Sequence, residues 1–321
     1  MTKQRAWIGF WILALIWGSS FLFIRISVEQ LTTFQVVFIR TGIAAIGLNI
    51  VAFMRGKRLP TDWKGIRDLL ILGVVNTVFP FVLITWGEKS IESSLAAILQ
   101  GTAALFTMVV AHFVFVDERM TPRKILGLVI GFIGVVILAS RSTEGEVVQT
   151  DATLHLLGQL AIVAASFCYA LGGTYSRTAI QNRLEPIVAA AGAMTVTAII
   201  TGILTYISPL MGGPQPTPIS DLTPRVLTAI FALGFVNTFI AYIIFYSLIP
   251  ALGAARTSMV TYVIPAVGLL LGAIFLSEPV DFTLILGAIL IVGSIAIVNL
   301  KISNLFRRTS SVQPQVVNDA N

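Results

Sequence analysis

Ten stretches of the chain run apolar for about twenty residues each, near 7–28, 34–54, 69–87, 93–116, 122–140, 156–178, 187–207, 225–247, 252–276 and 282–300. At about 1.5 Å per helical residue, a run of that length crosses the roughly 30 Å of a bilayer's hydrocarbon core. In lipid every backbone amide must be bonded within its own segment or within a closed barrel. Barrel strands would alternate apolar and polar residues, and these stretches do not. The pattern predicts an all-α polytopic membrane protein of ten transmembrane helices. Lys3 and Arg5 precede the first stretch as they would in a signal sequence. Its apolar run is too long for a cleaved core and no small-residue cleavage site follows, so it is expected to remain as a first span.

The apolar pattern repeats. Leu72-Gly73-Val74-Val75-Asn76-Thr77 returns as Leu233-Gly234-Phe235-Val236-Asn237-Thr238, Phe115-Val116-Asp117-Glu118 as Phe275-Leu276-Ser277-Glu278, and Leu126-Gly127 as Leu286-Gly287. A weaker correspondence links Trp17-Gly18-Ser19-Ser20 with Tyr169-Ala170-Leu171-Gly172, and Arg25 with Arg177. The expected organisation is a first five-helix repeat over 1–150, a second over 151–302 and a disordered cytoplasmic tail over 303–321. Five crossings per unit make the second copy enter the membrane upside down, so the repeats are inverted. Two such halves can expose a central site to one side and then the other.

Composition and charge sharpen this picture. With 56% hydrophobic and 11% charged residues and a mean hydropathy of +0.91, the chain is far more apolar than a soluble domain, which carries roughly 25% charge. The net charge of +6 is not a nucleic-acid footprint, because the basic residues are partitioned along the chain. Fifteen lie in the termini or in the connections after spans two, four and six; only Lys89, Arg141 and Arg225 lie in the opposite connections. The positive-inside rule then puts both termini in the cytoplasm and the chain in the cell's inner membrane. The single cysteine, Cys168, excludes an intrachain disulfide and reads as a small apolar filler. The segment from Met211 to Pro218, rich in Gly and Pro, reads as a loop.

Several of these residues also carry a resemblance. Trp17-Gly18-Ser19-Ser20-Phe21, Arg40, the run Ser94 to Gln100, Asp117 to Thr121, Gly253 to Thr257, Pro265, Ser277-Glu278-Pro279 and Leu286-Gly287-Ala288 together resemble the EamA-type drug/metabolite transporters, over about residues 7–300. The resemblance implies ten helices, a cavity between the halves, and export of amino acids or related metabolites. One departure stands out. Ala104 occupies the place of Pro265, so a kink expected there is in doubt for the first half.

Polar groups inside hydrocarbon mark a pathway or an interhelical bond. The candidates for substrate binding are Trp17, Asn76, Trp86, Gln100, Tyr169, Asn237, Arg256, Thr257 and Tyr262. Asn76 and Asn237 sit at matched places and suit either role. Pro80 lies one turn beyond Asn76 and frees a backbone carbonyl, with Trp86 on the flank. Gln100 and Thr107 share a stripe of small residues on span four, and Thr257 and Thr261 a comparable one on span nine, with Tyr262 beside it. Trp17, Tyr169 and Tyr246 serve equally as packing anchors. Arg25 and Arg40 read as snorkelling to the headgroups. Arg256 reads as an anchor or as a counter-charge for a carboxylate, and His112 as a packed neutral histidine. No comparably embedded Asp or Glu is expected, which disfavours a cation/proton exchanger and favours anionic or zwitterionic cargo.

The leading expectation is therefore a transporter that exports small organic metabolites by alternating access, with uniport and proton coupling both open. Its partners are a small-molecule substrate and the lipid bilayer, and no nucleic acid, cofactor or metal ion is expected. Monomer and oligomer stay open, because lipid-facing and partner-facing apolar surfaces look alike in sequence. The alternative is a polytopic enzyme acting on lipid-linked substrates, for which His155 and Asp151 are the nearest candidate pair.

Overall fold

The computed structural model describes residues 2–141, 152–180 and 183–299. Among the described residues nine helices are long and apolar enough to cross a membrane: α1 Lys3–Ser27, α2 Thr33–Met54, α3 Trp63–Gly87, α4 Ser93–Val114, α5 Pro122–Ala139, α6 Ala152–Thr178, α7 Pro186–Met211, α8 Pro224–Leu252 and α9 Arg256–Phe275. A tenth, α10, runs Phe282–Asn299. No strand occurs among the described residues. The chain is the all-α membrane bundle that its apolar pattern predicts. Asp151 and the tail 303–321 lie outside the described residues.

The helices start where short polar side chains satisfy the free N–H groups of a first turn. Thr32 and Gln35 form a reciprocal capping box on α2. Asp62 accepts from the Gly65 N–H at 3.0 Å, while Thr121 and Thr223 cap α5 and α8 ahead of Pro122 and Pro224. The Asp62 cap starts α3 at Trp63, six residues before the apolar run at 69. Those six residues carry Lys64, Arg67 and Asp68, so hydropathy alone misses them.

The packing is symmetrical under exchange of each helix with the one five places along. α2 packs on α7, α4 on α9 and α5 on α10, each pair being its own counterpart. α3 on α6 mirrors α8 on α1, α4 on α6 mirrors α9 on α1, and α3 on α7 mirrors α8 on α2. In lipid such contacts rest on small residues that let backbones approach. At Gly268 of α9 an added Cβ would fall 2.3 Å from the Ala97 Cβ of α4, and at Gly18 of α1 it would fall 2.4 Å from Val267. These three helices therefore cross at close range. α4 lies deepest, 61% of its most apolar window being buried, whereas α5 stands at the rim with 22%.

Four helices are broken at matched depths. α3 and α8 widen into π-turns over Val74–Val78 and Phe235–Ile240. α4 is interrupted at Gly101, between Ser93–Gln100 and Thr102–Val114, and α9 tightens to a 3₁₀ turn over Met259–Tyr262 before Pro265. The first half thus bends at the place where its lack of a proline left a kink in doubt. Glycine at 101 supplies there what Pro265 supplies in the second half.

Candidate functional site

The two π-turns carry the matched asparagines, and each faces the first helix of the other half. Asn237 is buried on α8 and donates from Nδ2 to the Ile16 carbonyl and, at 2.8 Å, to Ser19 Oγ of α1. Asn76 packs on Gly172 of α6, where an added Cβ would lie 2.6 Å from its Oδ1. Asn76 is half-buried and has no side-chain hydrogen bond among the described residues. Of the pair, Asn237 makes the interhelical bond and Asn76 keeps its amide uncommitted. Extra-wide turns of this kind recur at functional sites because they re-aim side chains and expose backbone carbonyls.

Between these turns lies a cationic, aromatic centre. Arg40 enters α2 about 10 Å from its start, and only 8% of its surface is exposed. Its Nε donates to Thr238 Oγ1 at 2.9 Å, and the guanidinium carbon sits 4.0 Å from the Phe81 ring centroid. Tyr169, Tyr242 and Glu88 are close enough to feel its charge. No carboxylate reaches ion-pair distance of it among the described residues. Trp17 meets Tyr242 edge-on at 6.4 Å and Phe245 at 5.3 Å, and Tyr246 stands 5.9 Å from Tyr242. These aromatic side chains are half-buried and pack against the helices around them. Arg40 is therefore not a snorkelling side chain: it is buried, and Thr238 and Phe81 hold it inside.

The end of the bundle formed by the odd-numbered connections, the far end, is locked by buried charge. Glu278 accepts from the N–H groups of Ser93 at 2.7 Å and Ser94 at 2.9 Å. Arg141 donates to Glu92 at 3.1 Å, to Asp281 at 2.5 Å and to the Pro279 carbonyl at 3.1 Å. Burial would raise the Glu92 carboxyl, but His155 and Arg141 outweigh it and hold the group below the ordinary carboxylate range. Asp281 is lowered likewise against burial, by the Leu284 N–H and Arg141. Arg25 does not snorkel either: its Nη1 donates to the Glu88 carbonyl at 2.5 Å. Glu88 follows the last residue of α3, is 0% exposed, and leaves both carboxylate oxygens without a hydrogen-bond partner. Burial, then the neighbouring Glu278, pushes its pKa well above the ordinary glutamate value.

The basic end, carrying the even-numbered connections, is looser. Lys57 pairs with Glu185 and Arg177 with Glu118, all partly exposed. Only Asp68 is deeply placed there, 1% exposed and held by the Tyr175 hydroxyl at 2.7 Å and an ion pair with Arg183. Buried acids thus exist at both ends, Asp68 within α3 and Glu88 just beyond it, contrary to the expectation that none is embedded. Both escape a hydropathy reading because they sit where apolar runs meet polar turns.

The nine candidate residues separate in space. Trp17 and Tyr169 join the Arg40 centre. Trp86 is 38% exposed on the bundle's outside. Gln100 is half-buried beside the Gly101 break with its Oε1 unpartnered. Thr257 is buried and bonds locally to the Gly253 carbonyl at 2.9 Å. Arg256 is exposed at the basic end, and Tyr262 is half-buried against the main core cluster. His112 accepts from the Met120 N–H at 3.1 Å, the packed role expected of it. His155 faces Glu92 and Gln159. Arg40, Tyr242 and Glu88 are not among the nine candidates; the sequence signals for Arg40 are its charge within an apolar span and its place in the family resemblance.

A ten-helix bundle with polar groups gathered between two similar halves belongs to the class of polytopic membrane transporters. The comparisons agree. The EamA-like transporter family model matches residues 5–140 and 156–300, and the chain belongs to that family. An uncharacterized transporter of Archaeoglobus fulgidus is 27% identical over 92% of this chain and 99% of its own length. A protein of Escherichia coli described as a probable amino-acid metabolite efflux pump is 24% identical, over 89% of this chain and 92% of its own. A solved crystal structure superposes with a TM-score of 0.64 over 92% of this chain and 96% of that one, at 19% identity, and so shares the fold. The chain is a membrane transporter, and the reading of it as an enzyme on lipid-linked substrates is set aside.

Proposed function

We propose that this chain exports small organic metabolites bearing a carboxylate, amino acids and related zwitterions or anions. It does so by alternating access between two oppositely oriented five-helix halves, 1–150 and 151–302, in the inner membrane with both termini in the cytoplasm. One observation carries the cargo class: Arg40 is a buried guanidinium near the middle of the bundle, fixed at Nε by Thr238, with no acidic partner at ion-pair distance among the described residues. A buried cation without a counter-charge is costly, and a carboxylate docking on its remaining N–H groups offsets that cost. Trp17, Tyr169, Tyr242 and Tyr246 supply an aromatic wall for the cargo's apolar body.

The exchange symmetry of the packing, with five crossings in each unit, supports the inverted repeat. The buried contacts at the far end and the exposed ion pairs at the basic end support a conformation closed to one side, since exposed pairs are worth little. Export is supported by the relatives of Escherichia coli and Salmonella typhimurium, each described as a probable amino-acid metabolite efflux pump.

Proteoliposomes loaded with labelled amino acids, 2-oxo acids and matched amines test this reading. Saturable flux is expected for carboxylate-bearing solutes and not for the amines. Arg40→Ala is expected to raise the half-saturation concentration about tenfold to hundredfold, from the roughly 1.5–3 kcal/mol of a hydrogen bond to a charged group. Saturable flux of the amines alone, or an Arg40→Ala variant with unchanged flux, would sink it.

A further inference from the structure

Glu88 is the buried group that the transport reading above does not use. Its carboxylate is fully enclosed, yet neither oxygen accepts a hydrogen bond. The charged groups facing it come from three elements: Arg25 on α1, Arg40 on α2 and Glu278 between α9 and α10. Each of two of these is already committed. Arg25 spends its Nη1 on the backbone carbonyl of Glu88 rather than on the carboxylate. Glu278 spends both oxygens on the Ser93 and Ser94 N–H groups at the start of α4. Gly272 leaves no slack there, since a Cβ would lie 2.3 Å from Glu278 Oε2. Lys89, next in the chain, is exposed. Glu92, one turn further on, is paired with Arg141 and faces His155.

Arg25 and Arg40 are thus the cations facing Glu88, and with Arg25 fixed on the backbone carbonyl, Arg40 is the one whose charge a bound carboxylate would answer instead. We propose that Glu88 is a proton-binding site of this transporter, and that it holds its proton when a carboxylate occupies Arg40. The reason is charge balance in a low dielectric. With Glu88 ionised, Arg40 has an anion to answer; with Glu88 neutral, Arg40 has none and takes the cargo's carboxylate instead. The proton remains on a Glu88 oxygen and no covalent bond to cargo forms. By linkage, each ligand strengthens the other by the same factor. The raised pKa of Glu88, from burial and from Glu278, agrees with a neutral carboxyl in the empty protein. The proposal rests on Arg40 being the cargo's anchor, so its test needs one readout that is independent of cargo.

The full chain in lipid nanodiscs supplies both readouts. Infrared difference spectra against pH are expected to show a carboxylic-acid carbonyl band that titrates above the ordinary glutamate range and is missing from Glu88→Gln. Calorimetry with 3-phenylpropionate, run in two buffers of different ionisation enthalpy, is expected to show proton uptake on binding above that titration. There the affinity falls about tenfold per pH unit. Uptake and slope both vanish in Glu88→Gln. Should that variant fail to fold, Glu278→Gln is expected to move the carbonyl band to lower pH, because it removes the neighbouring negative charge. A wild-type band that titrates in the ordinary range, or binding whose affinity ignores pH, overturns the proposal. A Glu88 band with the expected titration but no binding of 3-phenylpropionate at any pH overturns the coupling and the Arg40 reading, and leaves the proton site supported.

Discussion

Glu278 Oε2 accepts the backbone N–H of Ser94 at 2.9 Å, tying the second half of the chain to the first turn of α4. Its repeat partner Glu118 pairs with Arg177. Ser277, held at φ 54°, sets the angle of approach: a left-handed backbone that a non-glycine residue adopts at some cost turns Glu278 back toward α4.

Breaking that clasp opens the far end. In a Cys168→Ser background carrying Ser94→Cys, adding Glu278→Gln is expected to speed labelling of position 94 by a membrane-impermeant maleimide about tenfold or more. That factor follows from the roughly 1.5–3 kcal/mol assigned to hydrogen bonds with a charged partner. Unchanged labelling would mean that the clasp does not hold the end shut.

The Arg141 network fixes how stability depends on acid. Glu92 and Asp281 have folded values below their unfolded ones, near pH 4. Their contribution is complete above that range and is lost as pH falls through the folded values. Glu88 runs the other way: its folded value is raised, so its contribution is present below the ordinary glutamate value and fades as pH rises through the folded one. Arg141→Met is expected to lower the melting midpoint at neutral pH, because Glu92 is left buried without its cation, and to flatten the acid limb. Melting curves between about pH 3 and 8 check it; an acid limb identical to wild type refutes it.

The matched asparagines are expected to separate by assay. Asn237→Ala removes bonds to the Ile16 carbonyl and Ser19 and is expected to cost about 1–2 kcal/mol in stability. Asn76→Ala removes no side-chain bond among the described residues, and its effect is expected in flux rather than in melting. Equal melting losses would contradict the assignment.

Overpacking the helix crossing should be severe. Gly268→Leu drives a side chain into Ala97 of α4, where even a Cβ lies at 2.3 Å. A loss of about 1–3 kcal/mol or failure to insert is expected. Folded yield by size-exclusion chromatography in detergent measures it, and a yield equal to wild type would show that α4 and α9 can separate freely.

The apolar runs by themselves determined the ten helices and the repeat of Asn76-Thr77 in Asn237-Thr238, because hydrocarbon forces each span to close its own hydrogen bonds and duplication leaves its residues in register. Side-chain fate was a different matter. That Arg40 is held by Thr238, 198 residues away, that Glu88 finds no partner, and that Asn237 binds α1 while Asn76 stays uncommitted were decided by which helices met. The bend at Gly101 and the π-turns also depended on neighbours, since glycine permits a break without demanding one. Secondary structure in lipid is a local requirement, whereas burial and charge compensation are set by contacts between residues far apart in the chain.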